Sequence, residues 1–151
     1  PDLVLDCWVN LLKKITNKME QTLSIIKPDA VERNLSENIK EIFTNNDLKI
    51  KEIKKIHISK DEAAEFYKIH QSKPFYNDLC AYLSSGPIVV MILEGENAVL
   101  VNRKLMGATD PKDAEENTIR KLYGISIDKN SVHGSDSIDN AKKEIDFFFK
   151  N

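Results

Sequence analysis

The sequence predicts an α+β domain of about four strands, with helices packed on one face of the sheet. Strand-like and helix-like patterns alternate along the chain, yet too few strands neighbour one another to build a large parallel sheet. Residues 87–93 form a continuous apolar run of strand length, which marks a central strand. Two segments, opening at Ser36 and Ser137, repeat apolar residues at helical spacing.

In order along the chain, residues 22–26 read as a strand, ended by Lys27-Pro28-Asp29 because proline removes a ladder donor. A helix is expected from near Ser36, with Ile39, Ile42 and Phe43 on its buried side. Residues 48–58 hold β-branched side chains in imperfect alternation, and the break around Lys51 and Glu52 predicts a bulge. Ser59-Lys60-Asp61-Glu62 is a capping box opening the next helix. A short helix over 76–83 precedes the central strand, and residues 96–106 read as a helix stopped by Gly107. After a loop containing Asp110 and Pro111, a helical piece spans 118–122. Ser137 then caps a final helix whose Ile138, Ala141, Ile145 and Phe148 face inward.

Length and composition fit one soluble domain. The chain has 151 residues, 41% apolar and 30% charged, so it can bury a sizeable core without a disulfide or metal staple. Its formal net charge of −2 means that any grip on an acidic ligand must come from a local cluster of bases. That balance argues against a general nucleic-acid binder. Cys7 and Cys80 match no zinc or CxxC spacing and fit a reduced, cytoplasmic context. No apolar run approaches a membrane span. In residues 1–18, Val4, Trp8, Leu11 and Ile15 recur at helical spacing, with acids ahead of the lysines. This reads as an amphipathic appendage rather than a secretory signal, leaving residues 19–151 as the domain.

The common nucleotide signatures are absent: there is no GxxxxGK[ST] loop and no GxGxxG. Phosphate chemistry would therefore fall to side chains. Of the three histidines, His57 lies between Ile56 and Ile58, and alternation turns it toward solvent. His70 falls near a helix end, where its cation would suit the dipole. A structural role is the plainer reading for both. His133 lies in Asn130-Ser-Val-His-Gly-Ser-Asp-Ser137, beside a glycine that permits close approach, a hydroxyl and a carboxylate. That context leaves a nucleophile and a hydrogen-bonded structural residue equally open.

The same octapeptide resembles the active-site signature of the nucleoside diphosphate kinase family, Asn-x-x-His-Gly-Ser-Asp. The resemblance runs from Gln21 onward through Thr22-Leu-Ser-Ile-Ile-Lys-Pro-Asp29, Lys73-Pro-Phe75, Ser85-Gly-Pro87, Arg103-x-x-x-Gly-Ala-Thr109 and Thr118-Ile-Arg120, in family order. In length the chain is similar to the short bacterial form. The resemblance implies a ferredoxin-like sandwich, a four-stranded antiparallel sheet covered by helices. It also implies ping-pong transfer between nucleoside tri- and diphosphates of any base, maintaining nucleotide pools, with Mg2+ on the phosphates, in a cytoplasmic homo-oligomer (tetramer or hexamer).

The resemblance makes His133 the nucleophile and sets Lys27 on phosphate and ribose 3′-hydroxyl, where an isolated lysine would read as solvated. Arg103, Thr109 and Arg120 would hold phosphates, and Asn130 the 3′-hydroxyl; arginine's planar fork suits phosphate. Phe75 would stack on the base, with Leu79 and Ile127 completing an apolar slot, although all three otherwise read as core. Tyr67 would stand near Lys27 and the histidine. Glu144 and Ser135 would orient His133. No residue would bind metal directly, with Asp136 touching the magnesium shell through water. Ala30 and Lys121 depart from family glycines and bear on loop geometry. Two rival readings remain. A non-catalytic nucleotide-sensing relative should have lost a key base, and none is lost here. A protein phosphotransferase using His133 would be separated by acceptor assays.

Overall fold

The computed structural model describes residues 18–150. The appendage expected within residues 1–18, and Cys7 with it, lies outside the described residues except for Lys18. Four strands, β1 (Met19–Ile26), β2 (Lys49–Ile56), β3 (Ile88–Glu96) and β4 (Val132–Gly134), pair in the order β2-β3-β1-β4. Every pairing is antiparallel. This is the ferredoxin-like order, with β1 and β3 central. The seven α-helices among the described residues are α1 (Pro28–Glu32), α2 (Ser36–Asn45), α3 (Lys60–Phe66), α4 (Tyr76–Leu83), α5 (Ala98–Met106), α6 (Ile119–Tyr123) and α7 (Ile138–Phe149).

The helices cover both faces of the sheet, not one. Strand alternation explains it: Ile26, Val89, Met91 and Leu93 pack on one side with Phe43, Ala98 and Ile119, while Leu23, Ile25, Ile88 and Val90 pack on the other with Ala63, Leu83 and Phe148. Both faces of β3 are buried, as its uninterrupted apolar run requires.

Several local expectations hold. The register of β2 skips between Ile50 and Glu52, the bulge that the broken alternation predicts. Ser59 and Glu62 form the reciprocal capping box, and Ser137 caps α7 by accepting from the Asn140 amide. Others shift. Glu96 ends β3, and α5 begins only after Asn97 turns left-handed. Ile138 is exposed on the first turn of α7, whereas Ala141 and Phe148 are buried. Pro28 does not merely end β1; it starts α1, where a missing N–H costs nothing. Ala30 and Lys121 lie in regular helix, in α1 and α6, so neither departure disturbs a loop.

Candidate active site

His133 lies on β4, a three-residue edge strand paired to β1 with Ile25 opposite His133. Alternation buries Val132 in one core and turns His133 to the other face. There its Nε2 meets Glu144 Oε1 of α7 at 2.8 Å, and the ring of Phe66 packs edge-on at 5.3 Å. The Ser135 hydroxyl donates to the same Glu144 oxygen at 3.0 Å while accepting from the Leu23 amide at 3.3 Å. Gly134 lines the cavity in front of His133, and it has a packing role as well. A Cβ there would fall 2.3 Å from Asn102 Nδ2 and 2.9 Å from Met106 Sδ, so a larger residue would have to displace those side chains where β4 lies against α5.

In front of His133 opens a cavity of about 600 Å³, a size suited to a small ligand. Its basic groups come from three directions. Lys27, at the end of β1, is 6% exposed and donates through Nζ to Asn130 Oδ1 at 2.9 Å. It is thus a buried lysine, not a solvated one. Asn130 donates in turn to the Thr109 carbonyl at 3.0 Å. Arg120, on α6, is also buried and donates to the carbonyls of Gly107 and Val132, each at 3.0 Å. Its Nε has no partner among the described residues. Arg103, on α5, lines the cavity from an exposed position.

These bases disfavour one another's charge. Burial, helped by the Arg120 guanidinium, lowers Lys27 to about 8 against the opposing pull of Asp29 and Asp128. Burial and then Arg103 lower Arg120 to about 10. A polyanion in the cavity would relieve both. Tyr67, capping α3, is buried, and burial followed by the Glu144 charge pushes its phenol well above the usual range. It is therefore held as a protonated donor. The hydrogen bond from Asn140 holds the Asp136 carboxyl below its ordinary value.

Phe75, Leu79 and Ile127 also line the cavity. Phe75 is 46% and Ile127 54% exposed, so these two are not core, whereas Leu79 is half-buried and packs against the core on that face. His70, whose plainer reading is structural, and Lys73 also line the cavity. His70 Nδ1 is buried and without a partner among the described residues, and burial, then Lys73 and His133, disfavour its cation. Its place three residues beyond Tyr67, on a 3-10 turn, was the available signal. His57 is exposed as expected, with Nε2 at 2.8 Å from the Ser84 carbonyl oxygen.

Of the thirteen residues above that the resemblance implies for the site, all but Ser135 line this one cavity, and Ser135 touches it through Glu144. No group of three or more His, Cys, Asp or Glu side chains that could hold a metal exists among the described residues. The acceptors fit an ion brought on phosphate oxygens and touched by a single ionised carboxylate, the manner in which Mg2+ is commonly held.

The ferredoxin-like fold thus gathers basic side chains, a histidine and apolar side chains around one cavity. The family model for nucleoside diphosphate kinase matches residues 20–151. A nucleoside diphosphate kinase from a Nitratiruptor species is 60% identical over 131 residues, covering 87% of this chain and 96% of the relative. One from Campylobacter jejuni is 56% identical over 132 residues, with the same coverage. The solved structure of the Aquifex aeolicus nucleoside diphosphate kinase superposes with a TM-score of 0.86 at 38% identity, covering 87% of this chain and 96% of that one. The chain belongs to the nucleoside diphosphate kinase family. No helix among the described residues is long and apolar enough to cross a membrane.

Proposed function

We propose that this enzyme transfers the γ-phosphoryl of a nucleoside triphosphate to a nucleoside diphosphate through a phosphohistidine on His133. The observation that carries this reading is the bond between His133 Nε2 and Glu144. If Nε2–H is donated to that carboxylate, the lone pair of a neutral ring is on Nδ1, and Lys27, Arg103 and Arg120 line the same cavity as His133.

In the first half-reaction Nδ1 attacks the γ-phosphorus in line, the bond to the β,γ-bridging oxygen breaks, and the diphosphate leaves with that electron pair. In the second, a β-phosphate oxygen of the acceptor attacks the same phosphorus and the N–P bond breaks, returning neutral His133. Phosphoryl transfer through a loose transition state needs positioning and charge neutralisation above all. Arg103, Arg120 and Thr109 would supply these on the phosphates, and Lys27 and Asn130 on phosphate and the ribose 3′-hydroxyl. Glu144, steadied by Ser135, would stabilise the positive ring formed on phosphorylation, and Tyr67 would donate from beside Lys27. Magnesium would neutralise phosphate charge, with Asp136 reaching it through water. A base stacked on Phe75 between Leu79 and Ile127 would be held with little selectivity.

This reading includes a role in balancing nucleotide pools, a cytoplasmic setting and a homo-oligomer whose size a light-scattering mass would decide between tetramer and hexamer. The direct test incubates the protein with γ-labelled triphosphate and no acceptor. Base-stable, acid-labile label should appear on the protein, and later addition of a diphosphate should remove it as triphosphate. A protein that turns over but never carries such label would overturn the covalent route.

A further inference from the structure

Behind the cavity, on no wall of it, lies a buried carboxylate that ties together the two segments supplying Lys27 and His133. Asp29, in the first turn of α1, is 6% exposed. Its Oδ2 accepts the Ser131 hydroxyl at 2.9 Å and Arg33 Nη2 at 3.2 Å, and its Oδ1 accepts the Tyr82 hydroxyl. The Tyr82 oxygen also accepts the Asp29 amide at 3.0 Å. Arg33 continues to the Tyr123 carbonyl and to Ser131 Oγ.

Ser131 is the residue that makes this network more than a helix-end stabiliser. It is fully buried and its φ is +74°, left-handed, a conformation costly for any residue with a Cβ. Its carbonyl accepts the Lys27 amide at 2.8 Å. On one side of it stands Asn130, which holds the Lys27 ammonium. On the other stands Val132, whose carbonyl takes Arg120 and whose neighbour is His133. A left-handed residue between them lets Asn130 face the cavity while Val132 enters the sheet. Such a turn persists only where its surroundings over-determine it. Here the Val132 amide donates across it to the Asn130 carbonyl at 2.9 Å, the Lys27 amide holds the Ser131 carbonyl, and Asp29 holds the Ser131 hydroxyl.

We infer that Asp29 is a positioning residue for phosphoryl transfer: by accepting the Ser131 and Tyr82 hydroxyls it fixes the left-handed turn that sets Asn130 and Lys27 on the ribose. This rests on the phosphotransfer reading given above. The Asp29 charge has a second consequence, since it also favours the charged form of Lys27.

The test compares wild type with Asp29→Asn, Ser131→Ala and Ser131→Gly, reading phosphoenzyme formation from a 2′-deoxy and a 2′,3′-dideoxy triphosphate across pH. Removing a hydrogen bond to a charged group costs roughly tenfold to a hundredfold in kcat/KM. We expect that loss for the substrate with a 3′-hydroxyl and a much smaller one for the dideoxy substrate, because only the former uses Asn130 and Lys27 fully. Ser131→Gly, free to adopt the left-handed angle, should fall between Ser131→Ala and wild type. In Asp29→Asn the alkaline limb of the pH profile should move to lower pH. The same discrimination ratio in Ser131→Ala as in wild type, or equal losses on both substrates, would overturn the proposal, as would Ser131→Gly falling below Ser131→Ala. Should Asp29→Asn not fold, the serine pair decides. If wild type itself forms no phosphoenzyme, the covalent reading fails first and the proposal falls with it.

Discussion

Glu144 Oε1 stands 2.8 Å from His133 Nε2 and 3.0 Å from the Ser135 hydroxyl, so one carboxylate oxygen ties the imidazole to the serine two residues on. The arrangement joins two separate elements: His133 hangs from an edge strand and Glu144 from the second turn of the last helix. The first prediction follows from it. Glu144→Gln keeps an acceptor near Nε2 but removes the charge that offsets a phosphorylated, cationic ring. Phosphoenzyme formation should slow roughly 10- to 100-fold, the scale of one charge-assisted hydrogen bond, while nucleotide binding measured by calorimetry stays near wild type. An unchanged rate of labelling would show that Glu144 only packs against the ring.

Much of this arrangement was legible in the sequence, for identifiable reasons. Capping chemistry located α3 and α7, because Ser59, Glu62 and Ser137 act on residues three positions away. The bulge at Lys51 showed as broken alternation. What local pattern could not give was β4. Its few residues carry no periodicity, and they form a strand only because β1, from the far end of the domain, offers Ile25 as a partner to His133. The doubly covered sheet was missed for a similar reason, since β2 reads Lys-Ile-Lys-Glu-Ile-Lys-Lys-Ile and hides which face is core. Phe75 and Ile127 read as core because an apolar side chain in a slot and one in an interior look alike in sequence; only their exposure separates them.

Arg120 supplies the second prediction. Its guanidinium braces the Gly107 and Val132 carbonyls, while its Nε is buried without a partner among the described residues. His133→Ala should abolish labelling while nucleotide still binds through Phe75, Lys27 and the arginines. Arg120→Ala should retain labelling at a rate lower by about 10²–10³, the scale of losing one electrostatic stabiliser. Because the buried Val132 carbonyl and the part-buried Gly107 carbonyl lose their donor, its melting temperature should fall as well. Acid-labile label on His133→Ala at the normal rate would place the covalent site elsewhere, with His57 and His70 the remaining histidines to test.

A third prediction concerns residues 1–17. The family match begins at residue 20, and among the described residues none that lines the cavity precedes Lys27. Deleting residues 1–17 should leave turnover within a few-fold of the full chain. A still-folded truncation that loses activity would assign that segment a part in catalysis.

Proton linkage at Lys27 gives a fourth. In the free protein, burial and Arg120 bring its pKa to about 8, below the ordinary 10.5. A lowered pKa on a base means that the folded state holds fewer protons than the unfolded chain between those values. Stability from this group therefore rises with pH from about 8 toward 10.5. Phosphate oxygens reverse the preference by favouring the ammonium, so binding a triphosphate near pH 8.5 should take up protons. Calorimetry in buffers of different ionisation enthalpy reads that uptake directly. It should vanish at pH 6, where Lys27 is already charged, and in Lys27→Arg. Uptake that persists unchanged in Lys27→Arg would assign the titration to another group.

The last prediction is base tolerance. Phe75 presents an open ring at the mouth of the cavity, with Leu79 and Ile127 beside it and all three apolar. A ring face stacks on any base, because every base has a π-face, whereas discrimination needs donors and acceptors aimed at a base edge. Near the ring the polar neighbours are Lys73, with Nζ 5.6 Å over the Phe75 centroid, and the His70 ring at 6.2 Å, while His133, Lys27, Asn130 and Arg120 also line the cavity. Lys73 over the ring face adds a charge that favours stacking without reading a base edge, so binding should rest on the parts that all nucleotides share. Values of kcat/KM for ATP, GTP, CTP and dTTP should fall within a modest range, and Phe75→Ala should raise KM for all four together. A preference above roughly a thousandfold for one base, about 4 kcal/mol, would mean that a side chain outside the slot reads its edge. Asp128, which lines the cavity next to Ile127, would then be the first residue to replace.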